Sequence, residues 1–112
     1  MKKKNIEHTQ LLILSLLKGE DMYGYQMILE LERRSDHTFE MKEGTLYPVL
    51  HGLEKSGYVE AFQRESPAGR LRKYYRLTRK GEVALWAEAE AWQRYSGAVN
   101  AVLQTSLGLE PA

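Results

Sequence analysis

Apolar residues crowd the start of the chain. Leu11, Leu12, Ile13, Leu14, Leu16 and Leu17 predict a first helix from about Asn5 to Leu17 with little polar surface. A helix apolar all round must be buried on several sides, and in so small a protein that points to a second chain covering part of it. Lys18-Gly19-Glu20-Asp21 ends it, with Gly19 suited to the residue after the cap. Asp21 is expected to cap a second helix, about Met22 to Arg34. Its core stripe is Gly24, Ile28 and Leu31, flanked by Tyr25 and Met27, with Gly24 allowing close helix packing. Ser35-Asp36-His37-Thr38 reads as a turn, and Phe39-Glu40-Met41 as a short extended segment.

A third helix is predicted by Leu46, Val49, Leu50 and Leu53, the i, i+3, i+4, i+7 spacing of one helical face. The same segment holds Gly44, Pro48 and Gly52, all poor helix formers. At 100° per residue the leucines and the valine fall on one side. Gly44, Pro48, His51 and Lys55 fall opposite, with Thr45, Tyr47 and Gly52 at the flanks. Small or flat residues on an exposed face let a helix backbone come close to the floor of a DNA major groove. A start at Thr45 places Pro48 in the first turn, where its missing N–H is harmless; a start near Glu43 costs one hydrogen bond. Gly57 stops this helix.

Tyr58 to Glu65 and Leu71 to Thr78 alternate, are rich in aromatic and β-branched residues, and flank Ser66-Pro67-Ala68-Gly69-Arg70. They predict a β-hairpin. Val59, Ala61, Tyr75 and Leu77 should face the core, with Arg72, Tyr74 and Arg76 pointing the other way. Thr78 then opens a final helix of about 25 residues. Leu85, Trp92 and Val99 lie seven apart, with Ala89, Ser96 and Leu103 as companions, a short heptad seam imperfect at Ser96. Such a seam suits packing against another subunit; the alternative is folding back on its own domain. The expected fold is mainly α with a small β part. It is a winged helix-turn-helix (1–78) with a long C-terminal dimerisation helix (79–112), the two forming one unit.

Composition narrows the chemistry. At 43% hydrophobic and 28% charged, the 112 residues suit one globular domain. The absence of cysteine excludes disulfides and Cys-based metal or redox sites. His8, His37 and His51 lack ligand-like spacing, so neither a metal nor another cofactor is expected. No nucleophile–base pair, phosphate loop or paired carboxylates indicate an enzyme. The basic start and LLILSLL superficially resemble a signal peptide. However, Glu7, His8 and Gln10 interrupt it, no small-residue cleavage site follows, and the run is far short of the roughly 20 residues that span a bilayer. A cytoplasmic protein without membrane association is expected.

Net charge is only +1, yet its distribution is uneven. Seven basic residues (Arg64, Arg70, Arg72, Lys73, Arg76, Arg79 and Lys80) stand against Glu65 alone between Gln63 and Lys80. Such a cluster is either one face for a polyanion or a solvated basic surface without a partner. Arg79 and Lys80 oppose the macrodipole at a helix start, which favours the first reading. Thr45 and His51 can reach phosphate or a base edge, and Lys55 can reach phosphate unless it is simply solvated. Tyr47 either packs on the backbone or is half-buried core. Arg70, Arg72 and Lys73 sit near the wing tip, where such residues lie along a minor groove or backbone.

EGTLYPVLHGLEKSGYVE, followed after the wing by GRLRKYYRLTRKGE, resembles the PadR family of bacterial transcriptional regulators over roughly residues 10–82. LLILSLLKGEDMYGYQM is similar to the family's first two helices, and the single last helix to its short subfamily. The resemblance implies a homodimeric repressor of a pseudo-palindromic operator on double-stranded DNA, released by a small-molecule inducer, either a phenolic acid or a hydrophobic drug. It maps DNA contacts onto Thr45, Tyr47, Pro48, His51, Lys55, Arg70, Arg72 and Lys73. One departure is Lys42, where the family commonly has a small capping residue. Some short members bind flat aromatic drugs between the terminal helices through a tryptophan. Trp92 stands where such a residue would be, with Tyr95, Ser96 and Val99 beside it; the alternative is plain packing in the dimer core. Leu85, Ala89, Trp92, Val99 and Leu103 are the expected dimer interface. The competing function is a winged helix used as a protein-interaction module, its basic wing contacting an acidic partner.

Overall fold

The computed structural model describes residues 6–108. The order is α1 (Thr9–Gly19), β1 (Met22–Tyr23), α2 (Gly24–Arg34), α3 (Glu43–Lys55), β2 (Val59–Glu65), β3 (Leu71–Leu77) and α4 (Arg79–Leu107). Three helices, a hairpin and a long last helix match the expected winged helix-turn-helix. Asn5, expected to open the first helix, lies outside the described residues.

The apolar helix α1 forms the centre of the domain. Ile13, Leu14, Leu16 and Leu17 are buried, and α1 touches α2, α3, α4 and β3. Most of its apolar surface is therefore used by its own chain, with Leu11 and Leu12 only half-buried. Met27 and Leu31 of α2 and Leu46, Leu50 and Leu53 of α3 complete the core from one side. Val59, Tyr75 and Leu85 close it from the other.

Two local expectations are corrected. The second helix starts at Gly24 and not at Met22, because Met22 and Tyr23 pair as a short strand with Tyr75 and Tyr74. The sheet thus has three antiparallel strands in the order β1-β3-β2. Tyr23, not Asp21, occupies the cap position, and its N–H donates to Oε1 of Gln26 at 3.4 Å. Phe39-Glu40-Met41 forms no strand; Met41 is buried and Phe39 packs beside it, so this stretch plugs the core between α2 and α3.

The signature residues around α4 have a mechanical role. The Thr78 hydroxyl donates to the Gly57 carbonyl at 2.6 Å and accepts from the Gly81 N–H at 3.0 Å, while the Thr78 N–H donates to the Tyr58 carbonyl at 3.0 Å. A Cβ on Gly81 would lie 2.0 Å from that Tyr58 carbonyl oxygen. Glycine is required there because the first turn of α4 rests on backbone.

Candidate nucleic-acid interface

Helix α3 begins at Glu43, with Lys42 as a cap residue lacking a side-chain hydrogen bond. Pro48 therefore lies beyond the first turn and leaves the Gly44 carbonyl without its helical donor. Both residues are exposed, so water can take that carbonyl. Leu46, Leu50 and Leu53 are buried and Val49 half-buried, while Gly44, Thr45, Tyr47, Pro48, His51, Gly52 and Lys55 are all exposed. A Cβ at Gly44 or Gly52 would meet nothing within 4 Å. Neither glycine is there to let this chain pack on itself.

Tyr47 is 38% exposed and its hydroxyl end rests on α2. A Cβ on Gly24 would fall 2.3 Å from the Tyr47 hydroxyl oxygen and 2.8 Å from Cζ. Gly24 thus makes close packing possible, as expected, but its neighbour is one ring rather than the whole helix. The tyrosine lies against the domain with one face open.

The wing carries cations on both faces. Strand alternation puts Lys73 with Tyr75, its Nζ 5.7 Å from the Tyr75 ring centroid. Burial pushes the Tyr75 phenol up, and Lys73 pulls it the other way. Arg72 projects from the opposite face, its Cζ 4.4 Å from the centre of the Tyr23 ring. Arg70, Arg72 and Lys73 are thus close in sequence but do not form one patch. At the tip, Gly69 has φ 85°, its N–H donates to the Ser66 carbonyl at 2.8 Å, and Ser66 N–H donates to the Arg70 carbonyl at 2.7 Å.

Tyr74 lies on the face predicted for it yet is only 1% exposed. Tyr23 packs edge-on against it at 5.4 Å, Phe62 lies at 6.0 Å, and Arg64 covers it with Cζ 4.0 Å from the ring centroid. Arg64 belongs to the basic cluster but was not singled out as a contact residue. The five-residue turn would have placed it: pairing Glu65 with Leu71 puts Arg64 directly opposite Arg72.

On α4, Leu85 is 7% exposed and belongs to the domain's own core, which leaves it little surface for another subunit. Ala89 and Ser96 are half-buried, whereas Trp92, Tyr95, Val99, Val102, Leu103 and Leu107 are exposed. The Trp92 ring lies 4.9 Å from that of His8, tilted at 56°, and 6.1 Å from that of Tyr95. These rings, with Leu11, Glu7 and Glu88, line a groove of about 430 Å³ between α1 and α4. Ser96 and Val99 are not among its lining residues. Gln10 donates a hydrogen bond to Glu88 across the same junction. His8, Leu11 and Glu88 were not foreseen, since only the docking of α4 on α1 brings them to Trp92.

The family model for the PadR-like transcriptional regulators matches residues 13–87. The chain belongs to that family. The transcriptional regulator Rv3488 of Mycobacterium tuberculosis is 37% identical over 79 residues, 70% of each chain. A protein of Lysinibacillus sphaericus is 38% identical over 85 residues, 76% of this chain and 78% of that one. The crystal structure of a PadR-like transcriptional regulator from Bacillus cereus matches with TM-score 0.78 and 31% identity, covering 86% of this chain and 91% of that one. A transcriptional regulator from Clostridium thermocellum matches with TM-score 0.75 and 32% identity, covering 84% and 91%. The PadR family and the Mycobacterium, Bacillus and Clostridium neighbours are regulators of transcription rather than enzymes, and DNA is the partner the family implies. Among the described residues no helix is long and apolar enough to cross a membrane.

Proposed function

We propose that this PadR-like regulator is a homodimeric cytoplasmic repressor of a pseudo-palindromic operator. In this reading α3 enters the major groove and the wing enters the flanking minor groove, against its backbone walls. Thr45 and His51 reach base edges; Tyr47, Pro48 and Lys55 meet the backbone together with Arg70, Arg72 and Lys73. The observation that carries the reading is the pair of exposed glycines in α3. Each weakens the helix by about 0.5–1 kcal/mol relative to alanine, and neither relieves any contact within the chain. Their use is clearance for something outside it.

Two copies are supported by α4, whose apolar residues Val99, Val102, Leu103 and Leu107 are exposed beyond the half-covered Trp92. Trp92, Val99 and Leu103 form the seam, with Ala89 at its edge. A small aromatic or hydrophobic ligand is supported by the groove beside Trp92 and Tyr95, with Ser96 and Val99 approaching it from the dimer side. The Glu7 and Glu88 carboxylates favour a planar cation.

Fluorescence anisotropy with DNA from the gene's own promoter tests the repressor. Affinity should fall steeply with log salt as counterions leave the phosphates. Arg72→Ala should weaken all sequences, whereas Thr45 and His51 substitutions should change sequence preference. No binding at low salt, together with capture of an acidic protein, would replace this reading with the protein-interaction module. Absence of Trp92 quenching by planar hydrophobic cations and phenolic acids would remove the ligand.

A further inference from the structure

The outer face of the wing carries two arginines where a sheet should avoid them. Arg64 and Arg72 are directly opposed across β2 and β3, and like charges in that position destabilise a sheet. Among the described residues neither has a carboxylate within ion-pair distance, whereas Arg76, whose Cζ lies 4.1 Å from the Phe62 ring centroid on the same face, is paired with Glu60 at 3.4 Å. The pair is also held in place. Arg64 lies over Tyr74 and Arg72 over Tyr23, with Cζ 4.0 Å and 4.4 Å from the ring centroids, and the two rings pack edge-to-face. The Arg72 Nε is enclosed without a hydrogen-bond partner.

We propose that Arg64 and Arg72 form a clamp for one DNA backbone phosphate on the outer face of the wing, with Tyr74 as its positioning residue. A stacked guanidinium has a fixed orientation and, with the Arg72 Nε enclosed, leaves its two Nη groups to donate, which suits forked recognition of a phosphate. The occupant follows from charge and place. The pair adjoins the tip turn, and Lys73 supplies a cation on the other face. A groove presents one phosphodiester strand on each wall, so a wing entering it needs cations on both faces. The inference rests on the DNA-binding reading above and adds Arg64, Tyr74 and their shared ligand.

The test uses a labelled duplex of mixed sequence, because phosphate contacts do not depend on sequence. Affinity is measured by anisotropy across a salt series, with thermal melts of every variant. Arg64→Ala and Arg72→Ala should each weaken binding about tenfold, the loss of a charge-assisted hydrogen bond. The double variant should lower the salt slope by about 0.9, one phosphate's worth of counterions, not twice that. Arg94→Ala, which removes the same charge from an exposed site on α4, should bind as the parent does. Arg64→Lys keeps the charge but loses the stack and fork, and should also weaken binding severalfold. Tyr74→Leu should do the same with the salt slope nearly unchanged, and Tyr74→Phe should restore affinity.

Equal losses for Arg64→Ala and Arg94→Ala would overturn the clamp, as would Arg64→Lys binding at parental strength. Full DNA affinity in Arg64→Ala with lost binding to polyglutamate would assign the arginine pair to an acidic protein instead. Failure of the parent protein to bind any duplex at low salt would strike the DNA reading itself, a result separable from parental binding that is merely insensitive to Arg64.

Discussion

Gly24→Ala places a methyl group where Tyr47 already lies. The new Cβ would sit 2.3 Å from the Tyr47 hydroxyl oxygen, 2.8 Å from Cζ and 3.3 Å from Cε1. Ordinary contacts between such atoms are about 3.5–4 Å, so the ring must retreat by more than about 1 Å. Gly24 is not among the residues with positive φ, and alanine fits its backbone. The substitution by itself stabilises by about 0.4–1 kcal/mol through the unfolded state. Against this, a tyrosine that swings into water forfeits much of its burial. Full burial of a large side chain is worth about 1.5–3 kcal/mol. Tyr47 is already 38% exposed, so its share is about 1–2 kcal/mol. The two effects nearly cancel, leaving a melting temperature lower by at most several degrees. If Tyr47 meets the duplex as proposed, DNA affinity should respond more strongly, about tenfold, because the ring leaves that place. Melting and anisotropy on Gly24→Ala, Tyr47→Ala and the double variant separate these effects. With Tyr47 truncated, the alanine should become stabilising and cause no further loss of DNA binding. An equal affinity loss in both backgrounds would refute the clash as the cause.

Three further outcomes follow from the same geometry. Gly81→Ala drives a Cβ into the Tyr58 carbonyl at 2.0 Å, and backbone cannot swing aside, so thermal melts should show a loss of about 3 kcal/mol or more. The Glu30 carboxyl is held at about 2, below its ordinary 4.5, first by hydrogen bonds from Arg33 and Arg34. Because the folded-state value is the lower one, this support is complete above the ordinary value and fades only as pH falls through 4 toward 2. An NMR titration of the Glu30 side chain should show that low midpoint, and an ordinary one would contradict it. Leu103→Glu puts a charge on the exposed seam of α4 and should shift sedimentation from the proposed dimer to monomer while leaving the domain's melting cooperative.

The parts legible in the sequence were those with a long, regular period. Leu46, Val49, Leu50 and Leu53 read as a helix face, and the alternation of Val59, Ala61, Tyr75 and Leu77 read as a strand face; both face the core in the fold. β1 was not legible, because Met22 and Tyr23 are too few to show a period and their partners lie about fifty residues away. The cap rule at Asp21 is local and lost to that pairing. Tyr74 alternated correctly, but burial of the outer face depends on Tyr23, Phe62 and Arg64 arriving together. Leu85 shows a further limit. A seven-residue repeat marks an apolar stripe without saying which surface covers it, and α1 of the same chain covers its first turn.

That division of α4 explains how a groove near Trp92 can matter to α3. The first turn of α4 is fixed to the end of α3 through Thr78, Gly57 and the Tyr58 carbonyl. Beyond Ser96 the helix leaves its own domain, and its apolar residues are exposed to the last turn. Between the two lies the groove, crossed by the Gln10–Glu88 hydrogen bond and filled on one side by the His8–Trp92 ring pair. From Leu85 to Leu103 is about 27 Å at 1.5 Å per residue. In the proposed dimer, a tilt of about five degrees at the groove therefore moves the distant seam by about 2 Å. Two recognition helices must sit about 34 Å apart to enter successive major grooves on one side of a duplex. Under the proposed function, a ligand that wedged α1 from α4 would change that spacing through a rigid lever, with no need to unfold or touch α3. The side chains best placed to set the tilt are those that close the groove from both helices: His8 and Leu11 from the α1 end, Glu88 and Trp92 from α4.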